Sequence, residues 1–251
     1  MASATGLALI PTPKATMKSK PKSKSKPKAN AKASGKAGAK AGSKTKPTKL
    51  RIIGGDMGGR TVTYHGEEFT RPMRDSVREN LFNILGRGVR GTTAFDLFAG
   101  TGVLAFEAIS RGAVRAVAVE PMRQAADQIR KTVEHLDLES KFTLLTADAF
   151  AVADRLLTVS DDDDTPWVVF LSPPYRFWTD PEFFPKLCAI ITRVQRHAPP
   201  GSILVAETDY TFDTDRLPPG DWDIRAYGIT RLAFIEPGNH CGLNLPDSLE
   251  L

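Results

Sequence analysis

From Thr92 to Glu207 the chain alternates short apolar runs with longer amphipathic stretches, and this alternation leaves few folds open. The apolar runs are Thr92–Phe98, Val114–Glu120, Phe142–Thr146, Trp167–Leu171 and Ile203–Glu207. Between them Val103–Arg111, Met122–Leu136, Ala149–Leu157 and Pro181–Arg196 carry helical spacing. A helix between successive strands forces the strands to run parallel and covers both faces of their sheet, so the pattern predicts a doubly wound α/β domain. Trp222–Tyr227 and Thr230–Glu236 are separated by little more than Gly228-Ile229. That link is too short for a crossover, so these two strands form an antiparallel hairpin that closes the sheet edge. Upstream, residues 50–64 read as a hairpin-like prelude turning at Gly54-Gly55 and Gly58-Gly59. Met73–Leu85 follows as an amphipathic helix with Val77, Leu81, Ile84 and Leu85 on its apolar face.

Open α/β sheets bind ligands at the carboxyl ends of their strands. At the end of the first core strand stands Asp96-Leu97-Phe98-Ala99-Gly100-Thr101-Gly102. Its glycines let the backbone approach a ligand, and a helix amino terminus follows at once. The next strand ends in Glu120-Pro121, and an acid about 20 positions beyond a glycine turn can bind the two hydroxyls of a ribose. The third ends in Asp148-Ala149, where a carboxylate could accept from an adenine amine. Gly100–Ala105 also satisfies the dinucleotide pattern. Two features favour S-adenosylmethionine over a nicotinamide cofactor. Asp96 precedes the glycines, within reach of a cofactor's amino group, and Ser172-Pro173-Pro174-Tyr175 lies at the end of a later strand. Two prolines turn the backbone stiffly there. They present the Ser172 hydroxyl and a carbonyl as acceptors for an amine, and the Tyr175 face for stacking a base. Phe177 and Trp178 are candidates for the opposite face of that base.

Asp96–Gly102 resembles the first motif of class I methyltransferases, and Ser172–Tyr175 resembles the Pro-Pro-aromatic motif of amino-group methyltransferases. Leu50–Gly55, Gly59-Arg60, Arg71–Leu85 and Tyr227–Phe234 resemble the bacterial RsmD family over about residues 50–237. The resemblance implies a Rossmann-like class I fold and S-adenosylmethionine as cofactor. It further implies methylation of a guanine N2 amine in small-subunit (16S) rRNA. Phe98, Ala99, Gly100, Thr101, Gly102, Glu120, Pro121, Asp148 and Ala149 would join Asp96 around the cofactor, and Arg71, Arg74, Arg78 and Arg176 would meet RNA phosphates. The chain departs from the family in carrying Ser172 where Asp is usual. Serine leaves adenine N6 or a protein glutamine amide open as targets, and a non-catalytic rRNA-binding assembly factor is the reading from another class.

Charge divides the chain. Of 34 basic residues, 13 are lysines within residues 1–49, a stretch with no acid. The remainder holds 21 basic and 29 acidic residues, a net of −8. The Lys/Ala/Pro/Ser/Gly arm has too little apolar surface to offset its ordering entropy and is expected to be disordered, serving as an RNA-affinity tail. The expected domains are this arm, a methyltransferase domain over 50–237 (an extension to 90 and a catalytic core from 91), and a tail over 238–251. The scattered histidines at 65, 135, 197 and 240 and the two cysteines suggest no metal or disulfide framework. No run approaches the roughly 20 apolar residues of a membrane span. A cytoplasmic monomer acting on rRNA or an assembling small subunit is the expectation.

Overall fold

The computed structural model describes residues 47–65, 72–159 and 163–238. The Lys-rich residues 1–46, residues 160–162 and the tail from 239 lie outside the described residues. A small antiparallel pair comes first, β1 (Pro47–Arg51) with β2 (Thr61–His65). The expected boundary at Leu50 therefore falls inside a strand. Helix α1 (Asp75–Leu85) follows. Its buried face is Val77, Arg78, Leu81, Phe82 and Leu85. Phe82 thus joins the apolar face, while Ile84 is only partly covered.

The main body is a seven-stranded sheet in the order β5-β4-β3-β6-β7-β9-β8. Its strands are β3 (Thr93–Asp96), β4 (Arg115–Val119), β5 (Phe142–Leu145), β6 (Trp167–Leu171), β7 (Ile203–Asp209), β8 (Asp223–Tyr227) and β9 (Thr230–Ile235). The first five run parallel, and β9 pairs antiparallel with both β7 and β8. Helices α2 (Val103–Ser110), α3 (Arg123–His135), α4 (Ala149–Leu156) and α5 (Phe183–His197) make the crossovers. β3 and β6 are buried at every position, as expected for central parallel strands covered on both faces. One apolar core, with Leu81, Phe106, Ile129 and Phe170, lies on one face of the sheet. The second, with Leu97, Trp178, Leu187 and Phe212, lies on the other.

Arg78 corrects the sequence reading. It is fully buried and cannot meet RNA phosphates. Its guanidinium donates to the Arg51 carbonyl at 2.7 Å, the Met73 carbonyl at 3.2 Å and Asp75 at 3.1 Å. Buried Glu107 on α2 lies 4.0 Å from its Nε. Glu107 in turn accepts from the backbone amides of Ile53 (2.8 Å) and Gly54 (2.9 Å) and from Arg111 (2.9 Å). Gly55, at φ +75°, runs so close to the Ser110 carbonyl that a Cβ would lie 1.9 Å from it. These contacts hold the segment after β1 against α2, the helix that springs from the glycine turn.

Candidate active site

The chain reverses direction across the sheet between β3 and β6, where one crossover leads left to β4 and another right to β7. Four acceptor groups collect at the carboxyl ends around this point. Asp96 ends β3, and Glu120 lies just beyond the end of β4. Ser172 follows β6 directly. Glu207 stands in β7, one residue beyond the Leu171–Ala206 pair, so residues 172 and 207 come next across the two strands.

Asp96 is 1% exposed, and neither carboxylate oxygen has a hydrogen-bond partner. Burial pushes its pKa from 3.8 up to about 7. The Ala105 amide, outside hydrogen-bonding geometry, pulls back, and the Glu120 and Glu207 carboxylates add to the rise. Glu120 is buried as well. One of its oxygens accepts from Gly100 N at 2.8 Å and the other from Met122 N at 2.8 Å. The carboxylate thereby fixes the glycine turn to the end of β4. Desolvation raises its pKa, against these two bonds. The turn closes through Gly102 N on the Ala99 carbonyl at 2.7 Å. Gly100 and Gly102 have φ of 54° and 73°. A Cβ on Gly102 would stand 3.1 Å from Phe106 and 3.3 Å from Ile129, so the turn requires glycine there sterically as well as conformationally.

Ala99, Thr101 and Ala149 are buried, Phe98 is half-buried, and Pro121 is exposed. Asp148 is exposed and caps α4, accepting from Phe150 N at 3.0 Å, which leaves its second oxygen for other partners. Arg74 is exposed beside the β8–β9 turn, 4.0 Å from where a Gly228 Cβ would stand. Arg176 is exposed over the Phe177 ring at 5.5 Å. Arg71 lies outside the described residues.

Ser172–Tyr175 forms the opposite wall. Pro173 is buried and Pro174 exposed, and a single 3-10 turn runs over Tyr175–Trp178. Tyr175 is half-buried. Its hydroxyl donates to Glu207 Oε1 at 2.8 Å and lies 3.0 Å from Thr230 Oγ1. Ser172 comes next to Glu207 across β6 and β7, and its hydroxyl acts to lower the Glu207 pKa. Desolvation raises the Glu207 pKa, opposed by the Tyr175 and Ser172 hydroxyls. Trp178 is fully buried, with Nε1 donating to the Glu207 carbonyl at 2.8 Å, so it belongs to the core and cannot cap a base. Phe98, Phe150, Phe177 and Phe183 form a half-buried aromatic cluster between the glycine turn and the double-proline turn. Phe177 and Phe183 stack at 4.0 Å.

Glu207, Thr230, Phe150 and Phe183 escaped the sequence reading. Glu207 carried the same signal as Glu120, an acid at the carboxyl end of a parallel strand. Its pairing with Ser172 requires the order β6-β7, which local sequence does not give.

The acceptor set fits an amine-bearing ligand with a ribose: an unpartnered buried carboxylate, a glycine turn pinned by a second acid, and an exposed carboxylate at the third strand. A protein from Haemophilus influenzae named "Ribosomal RNA small subunit methyltransferase D" is 29% identical over 178 residues, 70% of this chain and 86% of that protein. One of the same name from Escherichia coli (strain K12) is 34% identical over 129 residues, where the match spans 51% of this chain and 61% of the relative. Among solved structures, a conserved hypothetical protein of Streptococcus pyogenes superposes with a TM-score of 0.51 at 32% identity, covering 65% of this chain and 97% of that one. The family model described as "Conserved hypothetical protein 95" matches residues 50–236. The chain belongs to that family, the RsmD-type methyltransferases.

Proposed function

We propose that this chain transfers a methyl group from S-adenosylmethionine to the exocyclic N2 amine of a guanine in small-subunit rRNA. The observation that carries the reading is the convergence of Asp96, with its unpartnered carboxylate, and the Ser172–Tyr175 turn on one switch point. The names of the relatives support rRNA as the substrate. When bound, S-adenosylmethionine supplies an electrophilic methyl group on a sulfonium. Asp96 accepts from the cofactor's amino group, Glu120 from its ribose, and Asp148 from its adenine. Gly100–Gly102 gives the backbone room to approach. A guanine amine is a weak nucleophile, because its lone pair is delocalised into the ring. Ser172 and the Pro173 carbonyl accept from its two N–H groups and aim the nitrogen at the methyl. Catalysis is then mainly positioning in a preorganised polar site. Tyr175, its ring fixed by Glu207 and Thr230, stacks on the base, which must leave its own stack to enter. Arg74 and Arg176 meet phosphates nearby.

Calorimetry tests the cofactor assignment. S-adenosylmethionine and its demethylated product bind, NADH does not, and tight NADH binding alone would overturn the reading. Tyr175 gives a second expectation. Tyr175→Ala lowers kcat/KM for RNA by about 100-fold, through lost stacking and lost orientation. Tyr175→Phe keeps the ring, breaks only the hydroxyl's bonds, and costs about 10-fold or less. Cofactor affinity stays within about twofold in both, since neither change touches the glycine turn. Equal losses in the two variants would show that the hydroxyl, not the ring, is what matters.

A further inference from the structure

Resting on the reading above, we infer that Ser172 and Glu207 work as one unit, in which Glu207 supplies the carboxylate that position 172 lacks and receives the proton released by the methylated amine. Three observations converge. The register places residue 207 beside residue 172 across β6 and β7. The Ser172 hydroxyl acts on the Glu207 carboxylate, lowering its pKa against desolvation. Glu207 Oε1 also holds the Tyr175 hydroxyl at 2.8 Å, so the same carboxylate fixes the stacking ring. A hydroxyl alone is an ambiguous acceptor, because it can turn its proton toward the substrate. With its proton turned toward Glu207, Ser172 loses that ambiguity, directs its lone pairs to the amine, and becomes a stronger acceptor through the charged partner.

The nitrogen forms its bond to the methyl carbon, the carbon–sulfur electron pair remains on sulfur, and the nitrogen, now cationic, must lose one proton. That proton passes to Oγ of Ser172 as the serine's own proton passes to the Glu207 carboxylate. Two bonds to hydrogen break and two form, Ser172 is regenerated, and Glu207 ends protonated. The upward shift of its pKa by desolvation suits a group that must accept this proton.

Glu207 touches the substrate only through Ser172 and Tyr175, so it is a positioning residue, and a rescue experiment separates this role from support of the fold. Glu207→Gln keeps size and an acceptor oxygen but loses the charge. Its kcat is expected to fall by about 10- to 100-fold, with melting temperature and S-adenosylmethionine affinity close to those of the unaltered chain. Ser172→Asp places a carboxylate directly at the amine. The double variant S172D/E207Q is therefore expected to regain most of the lost kcat, whereas a purely structural Glu207 would leave the double variant no better than the single. Full activity in Glu207→Gln, or no rescue by Ser172→Asp, overturns this inference while the unaltered chain still methylates guanine. An unaltered chain that binds S-adenosylmethionine but methylates no guanine overturns the functional reading itself, and this inference with it.

Discussion

Replacing Asp96 with asparagine stabilises the ligand-free protein at pH 8 by about 4 kcal/mol, and the gain shrinks by about 1.4 kcal/mol for each pH unit below 7. The folded state holds the Asp96 proton up to about pH 7, while the unfolded chain releases it near 3.8. Between those values the folded state binds more protons, so the unaltered protein loses stability as pH rises through the window. Asparagine has no proton to lose and escapes the loss. The same substitution removes the partner of the cofactor's amino group, and affinity falls by about 10- to 100-fold, the worth of a charged hydrogen bond. In the unaltered protein the carboxyl must ionise to pair with that amine, so affinity also weakens as pH drops below 7. In Asp96→Asn it is flat. Chemical denaturation and calorimetry across the pH range read both effects. A variant that is less stable than its parent at pH 8 would show that Asp96 serves the fold rather than a ligand.

Glu107→Ala has the opposite signature. It strips the acceptor from the Ile53 and Gly54 amides and from Arg111, and leaves the fully buried Arg78 without the one carboxylate that faces its Nε. Removing one member of such a buried group costs about 3–5 kcal/mol, because the Arg78 Nε and the two amides lose their acceptor, and Asp75 reaches only the far nitrogen of the buried guanidinium. For a domain of this size that is a fall of roughly 6–20 °C in melting temperature. Glu107→Gln, which keeps one acceptor oxygen, falls between. A loss below about 0.5 kcal/mol, the level of an ordinary surface change, would show that the segment after β1 is not held by Glu107.

The parallel core is legible in the sequence because each strand is a short apolar run and each crossover has helical spacing. Asp96, Glu120 and the double-proline turn are legible because they stand at the ends of such runs, and there the fold class alone says where ligands bind. Arg78 misleads for a physical reason: an arginine at helical spacing looks solvated, and only the third dimension brings the Arg51 carbonyl and Glu107 to it. Trp178 misleads in the same way, an aromatic next to the motif whose indole nitrogen is taken by the Glu207 carbonyl. Glu207 is hidden because its meaning depends on which strand lies beside β6. The aromatic cluster of Phe98, Phe150, Phe177 and Phe183 joins residues more than 80 positions apart, and no local spacing announces it.

The serine at position 172 makes the target amine the point on which the account depends most. The direct measurement incubates the full chain with labelled S-adenosylmethionine and small-subunit rRNA or the assembling particle, digests the RNA, and separates the nucleosides. Label is expected in N2-methylguanosine at a single position and is lost in Tyr175→Ala. Label in N6-methyladenosine, label in protein glutamine, or cofactor binding with no transfer at all would contradict that expectation.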